Sequence, residues 1–191
     1  KQLRVIKAVV NNLLLKNHKV YLKAIGTAAM RDASNCADIE QQIFDLAGIE
    51  FDKIDGLDEA ELCAGGITLF YPEATGLAID MGGGSTEFAL IKNGSTKKRE
   101  SLGFGTASIS SDKNAKCAIT ESLNGLGKKF KNVETLYLSG GTFRNINKAL
   151  CEREGWDIKG ETPPKIALKD YKQFIAELLA MSEEEWADQP S

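Results

Sequence analysis

The sequence predicts an α/β protein built in two parts, with the boundary near Gly76. Three observations carry that reading. Through residue 70, apolar residues recur at helical spacing, then in short runs, then at helical spacing again. The stretch Tyr71-Pro72-Glu73-Ala74-Thr75-Gly76 breaks this alternation, and three strand-like runs follow without an intervening helix. Inside the second part lies Ile79-Asp80-Met81-Gly82-Gly83-Gly84-Ser85-Thr86-Glu87, a glycine turn between apolar runs with a carboxylate on either side.

Taken in order, Leu3, Ile6, Val9, Val10, Leu13 and Leu14 mark an amphipathic helix that ends before Asn17-His18. Val20 to Ile25 reads as a buried strand. Asp32 or Ser34 can cap a second helix with Ile39, Ile43, Leu46 and Ala47 on its apolar face and Gly48 as its stop. Ile49 to Ile54 is a short strand, and Gly56 opens a helix through about Phe70. In the second part, strands are expected at Leu77 to Ile79, Thr86 to Ile91 and about Thr96 to Gly103. Asn93-Gly94 is a type I′ hairpin signal between the last two. A helix near Ala115 to Phe130, a strand from Val133 to Leu138, a Gly140-Gly141 turn and helices at 142–154 and 169–181 complete the pattern. The expected division is thus residues 1–75 and 76–191.

Bulk properties narrow the chemistry. A formal net charge of −3 over 191 residues argues against nucleic-acid binding, so a polyanionic ligand would need a local positive pocket. No apolar run approaches the length of a membrane span. No signal peptide is visible, although the chain opens at Lys1 without an initiator Met. Cys36, Cys63, Cys117 and Cys151 are scattered, with no C-x-x-C pair, as expected of thiols in a reducing, cytoplasmic setting. His18 is the only histidine and sits in a polar Lys-Asn-His-Lys turn, so a general base here is expected to be a carboxylate.

The glycine turn is where the sequence speaks of function. Consecutive glycines let the backbone approach a ligand and aim successive N–H groups at an anion. Asp80, at the end of a strand, is an oxygen ligand for a hard cation such as Mg²⁺, and Glu87 supplies a second carboxylate beyond the turn. No Lys-Ser or Lys-Thr follows the glycines, which excludes a Walker A loop. Contiguous glycines followed by a strand exclude a Rossmann fingerprint. The competing reading is a glycine-rich hairpin turn of purely structural use. Arg31, after a strand, could fork onto phosphate or pair with Asp32 or Asp38. Gly140 and Gly141 would allow a ligand close to a helix N-terminus. Lys97-Lys98-Arg99 and Lys128-Lys129-Lys131 either guide a polyanion or are solvated faces.

Five blocks, in order, resemble the exopolyphosphatase and guanosine pentaphosphate phosphohydrolase family. They are Gly26 to Asn35, Gly56-Leu57-Asp58-Glu59-Ala60-Glu61-Leu62, Ile79 to Glu87, Ser101-Leu102-Gly103-Phe104-Gly105 and Ser139-Gly140-Gly141-Thr142. The resemblance implies an actin-like ATPase (ribonuclease H-like) fold, with an incomplete first lobe and a second lobe whose mixed sheet is flanked by helices. It implies a Mg²⁺-dependent phosphohydrolase acting on polyphosphate or guanosine pentaphosphate, and a homodimer. Glu59 would be the general base; composition alone would instead read it as an acid complementing a helix dipole. Asp80 and Glu87 would hold the metal. Gly82, Gly83, Gly84, Ser85, Arg31, Gly140, Gly141 and Thr142 would contact phosphate. The family's first Asp-x-Gly loop is absent, the segment from Thr106 to Asn132 is shorter, and the chain stops near Trp186, so it resembles a piece of such an enzyme. An ATP-dependent kinase on the same fold, and a phosphate-binding chain without turnover, remain alternative readings.

Overall fold

The computed structural model describes residues 23–109, 115–156 and 165–182, with Ala8 and Glu185. The helix expected over residues 3–15 lies outside the described residues except for Ala8, which is helical; so do His18 and the start of the strand expected from Val20.

The first part is small. Strands β1 (Ala24–Gly26) and β2 (Phe51–Lys53) pair in parallel, joined by α1 (Ala28–Asp32) and α2 (Cys36–Ala47). Ile43 of α2 and Ile49 form its core, with Ala24, Ile39, Ala47 and Phe51 packed against them. The expected cap at Asp32 or Ser34 is corrected. Asp32 is the last residue of α1, which the sequence reading did not foresee, and α2 starts after Asn35, whose side chain makes no capping bond. Gly48 ends α2 as expected, at φ 64°.

The second part is built on a four-stranded sheet in the order β5-β4-β3-β6. β3 (Gly76–Met81) and β4 (Thr86–Lys92) are antiparallel across the glycine turn, and β4 continues through Asn93-Gly94 into β5 (Ser95–Leu102). β6 (Leu136–Ser139) lies parallel to β3 and starts three residues later than the sequence suggested. Of the helices, α3 (Gly56–Phe70) packs on one sheet face through Ala60, Ala64 and the half-buried Cys63 and Ile67. A short α4 (Thr106–Ile109) follows β5, and α5 (Ala115–Lys129) covers the other face, where Leu126 and Phe130 meet Leu77 and Phe88. α6 (Gly141–Glu154) and α7 (Leu168–Ala180) share a separate cluster of Leu150, Phe174 and Leu178. Among the described residues no helix is long and apolar enough to cross a membrane. All four cysteines are free thiols.

Candidate active site

The register of the sheet builds the centre of the site. Asp80 of β3 stands opposite Glu87 of β4; Ser139 of β6 is the partner of Asp80, and Ser101 of β5 the partner of Glu87. Directly paired residues project from the same sheet face, so one row across four strands reads Ser139, Asp80, Glu87, Ser101. The same face carries Ala78, Ala89 and Ile91, against which α3 packs. Hydroxyls therefore flank two neighbouring carboxylates at the end of an apolar seam. Ser101 Oγ donates to Glu87 Oε1 at 3.0 Å.

Helix α3 delivers a third carboxylate. Asp55 caps it, its Oδ1 accepting from Leu57 N and Asp58 N at 2.8 Å each, and Glu59 falls in the first turn. The helix comes close because it begins with a glycine. A Cβ at Gly56 would stand 2.1 Å from Ser101 Oγ and 3.6 Å from Glu87 Oε1. Of the three acids in this turn, Glu61 turns to β5, accepting from Thr96 Oγ1 at 3.0 Å. Asp58 is exposed, whereas Glu59 is half-buried and repels the charges on both Asp80 and Glu87.

Burial is the main influence on these carboxylates. It raises the Asp80 carboxyl above its ordinary range, against the hydrogen bond from Ser139 and with a smaller contribution from the charge on Glu59. It raises Glu87 too, opposed by hydrogen bonds from Ser85 and Ser101, while Glu59 and Asp80 add their repulsion. Cys63, beneath the row, is pushed up to about 11, first by burial and then by Asp80 and Glu87. It is a neutral thiol at physiological pH, not a nucleophile.

The glycine turn is braced from behind. Thr106 N and Ala107 N donate to the carbonyls of Gly82 and Gly83 at 3.0 and 2.9 Å, and Gly82 N donates to Ser85 O at 3.0 Å. In a trans peptide the next N–H points opposite to the carbonyl, so the amides of Gly83 and Gly84 face away from α4. Among the described residues neither amide has a backbone acceptor. Two open amides in a turn held in shape by the start of α4 have the form of an anion nest. Gly105 permits the brace, since a Cβ there would come within 2.5 Å of Gly82 O and Gly83 O.

Gly140 caps α6 at φ 104°, and a Cβ on it would stand 2.4 Å from Met81 O and 3.1 Å from Asp80 Oδ1. The start of α6, with Gly141 and Thr142 in its first turn, therefore abuts Asp80; the helix begins one residue earlier than the sequence suggested. Arg31 is in neither of the ion pairs considered for it. Its Nη1 lies 2.7 Å from Glu59 Oε2 and donates to Ile54 O at 2.7 Å. The first basic run is split between the two faces of its strand. Arg99 and Lys98 lie on opposite faces of β5, with Arg99 Nη1 3.6 Å from Glu61, and Lys129 pairs with Glu100 at 2.5 Å.

The structure thus gathers Glu59, Asp80, Glu87, Gly82, Gly83, Gly84, Ser85, Gly140 and Arg31 around one locus. It adds Ser101, Ser139, Gly56, Gly105 and Cys63, to which the sequence reading gave no part in the site. Four of these, Gly56, Ser101, Gly105 and Ser139, stood inside resembling blocks. Among the described residues no three His, Cys, Asp or Glu side chains form a ready-made metal cage. Two adjacent carboxylates, one buried and one half-buried, nonetheless suit Mg²⁺, which keeps several waters and takes its remaining oxygens from substrate phosphates. A cation would also relieve the repulsion that the pair carries alone.

Comparison with known proteins gives the family and the fold. Residues 4–187 match the Ppx/GppA phosphatase family. The fold is similar to that of an exopolyphosphatase from Cytophaga hutchinsonii, with TM-score 0.76 at 21% identity over 96% of this chain and 64% of that one. It is also similar to the PPX-GPPA enzyme of Aquifex aeolicus, with TM-score 0.77 at 20% identity over 97% of this chain and 65% of that one. The architecture is the actin-like ATPase fold, and the chain spans just under two thirds of the length of these neighbours.

Proposed function

The chain belongs to the Ppx/GppA phosphatase family, and from that premise we propose that it takes part in hydrolysis of a phosphoanhydride, releasing the terminal phosphate of inorganic polyphosphate. The 5′-phosphate of guanosine pentaphosphate is the other substrate of this chemical class. One observation carries the proposal: three carboxylates, Glu59, Asp80 and Glu87, converge beside a braced glycine turn whose amides are open to an anion.

Phosphoryl transfer asks mainly for positioning and charge neutralisation. The Gly83 and Gly84 amides and the Ser85 segment hold phosphate oxygens. Gly140 lets the start of α6 close onto Asp80. Glu59 takes the proton of the attacking water, and Arg31 adds positive charge beside it. Asp80 and Glu87 would hold Mg²⁺, which when bound neutralises phosphate oxygens and orients the chain being cleaved.

The test is phosphate release from polyphosphate and from guanosine pentaphosphate, with and without Mg²⁺, by wild type and Glu59→Gln. Glu59→Gln is expected to lower turnover by about 10²–10⁴-fold while substrate binding persists. Near-normal turnover in that variant would remove Glu59 from the mechanism. The open amides of the glycine turn also fit a second reading, phosphate binding without turnover. Binding of tripolyphosphate with no phosphate release would select it.

A further inference from the structure

Arg31 lies between the glycine turn and Glu59. It is the fourth residue of α1, and Ala28, three positions earlier, begins that helix. Residues at i and i+3 share a helix face. Ala28 abuts the glycine turn, since a Cβ on Gly84 would stand 3.2 Å from Ala28 Cβ. The guanidinium therefore leaves the face of α1 that borders the turn, and it reaches Glu59 Oε2 and Ile54 O, each at 2.7 Å, through Nη1 alone.

A guanidinium has five N–H donors in a planar fork. The two hydrogens on Nη1 account for Glu59 and Ile54 O, and among the described residues Nε and Nη2 have no acceptor. Both side chains are mostly shielded, at 25% exposure for Arg31 and 18% for Glu59, so the pair is held more firmly than a surface salt bridge. The backbone carbonyl of Ile54, just before the helix that carries Glu59, fixes the plane of the fork.

We propose that Arg31 is the positioning residue of the general base: Nη1 holds the Glu59 carboxylate in place while Nε and Nη2 take an oxygen of the phosphate under attack. Base and phosphorus are then set at one separation by a single rigid group. Lysine could supply the charge but not the three directions, because its ammonium is a point donor on a flexible stem. The inference rests on the reading of Glu59 as the base.

The experiment uses the full chain as wild type, Arg31→Lys, Glu59→Gln and the double variant, with tripolyphosphate and Mg²⁺. Calorimetry gives affinity, phosphate release gives kcat, and thermal unfolding without ligand gives the coupling. Arg31→Lys is expected to lower kcat about 100-fold, the order of a 1 Å misplacement, with affinity changed less than about threefold because the charge remains. In the Glu59→Gln background it should lower kcat no further. Each single variant should lower Tm by about 2–4 °C, and the double variant by no more than the larger single loss. Affinity falling tenfold with kcat unchanged would make Arg31 a phosphate clamp only and overturn the proposal. So would kcat losses that multiply, or Tm losses that add. If the wild-type chain releases no phosphate, the hydrolase reading fails for this chain, and the Tm coupling alone still decides whether Arg31 holds Glu59.

Discussion

The two faces of the β3–β6 sheet are packed by different means. Against α5 the contacts are large: Leu77 and Phe88 meet Leu126 and Phe130, with Ile79, Leu90, Leu102 and Val133 around them. Against α3 the contacts nearest the polar row are small: Ala78 and Ala89 meet Ala60 and Ala64, and the helix begins with a glycine, while Ile91, Ile67, Tyr71 and Tyr137 fill the end of the seam away from it. Large side chains keep α5 at a distance and bury area. Small ones let α3 lie close to the strands, so that a carboxylate from its first turn reaches two more at the strand ends. The closely packed face is the one that holds the polar row, and it sets two carboxylates, one buried and one half-buried, side by side.

Four substitutions would break or sharpen this contrast. The largest effect belongs to the α5 face. Phe88→Ala should cost about 3–5 kcal/mol of stability in urea unfolding, with tripolyphosphate affinity unchanged at temperatures where the variant is folded. Next, Gly56→Ala drives a Cβ to 2.1 Å from Ser101 Oγ, so about 1–3 kcal/mol is lost to overpacking, together with at least ten-fold of any turnover. Adding Ser101→Gly should restore much of the stability. A loss unaffected by Ser101→Gly would mean that the close approach is not the cause.

Asp55→Ala comes third, removing the cap and costing about 1 kcal/mol, read as a lower midpoint in the same unfolding series. The smallest effect has the opposite sign. Burial raises the folded-state pKa of Asp80 and Glu87, so the folded chain binds their protons more tightly than the unfolded one. Their contribution is therefore favourable below the ordinary carboxylate range, near pH 4, and is lost as pH rises through the raised native values. At neutral pH, Glu87→Gln should raise the Tm of the ligand-free chain slightly and flatten its stability profile just above that range. An unchanged profile would mean that the burial does not penalise the charge.

Much of this face was legible because its signals are local. Gly56 to Phe70 is the helix the spacing predicts, and the β4–β5 hairpin turns at Asn93-Gly94, where Asn93 has φ 48° and Gly94 φ 71°. Glycines mark the loop and the start of α6. Two kinds of feature were not legible. α1 and α4 have five and four residues, too short to show a period. They supply Arg31 and the brace of the glycine turn. The row from Ser139 to Ser101 depends on the pairing of β6 beside β3, a contact across more than fifty residues that no local pattern encodes. The partner of Arg31 was misread for the same reason. Asp32 and Asp38 are near in sequence, while Glu59, 28 positions away, is near in space.

In the proposed function Asp80 and Glu87 hold a cation beside the bound phosphate. Thermal unfolding with and without Mg²⁺ plus tripolyphosphate, on wild type and on the Asp80→Asn/Glu87→Gln double variant, tests it most directly. At ligand about 100-fold above Kd, wild type should gain about 2.7 kcal/mol, or roughly 5–10 °C in Tm, while the double variant, more stable when empty, gains little. An equal gain in both proteins would contradict the account and place the anion elsewhere.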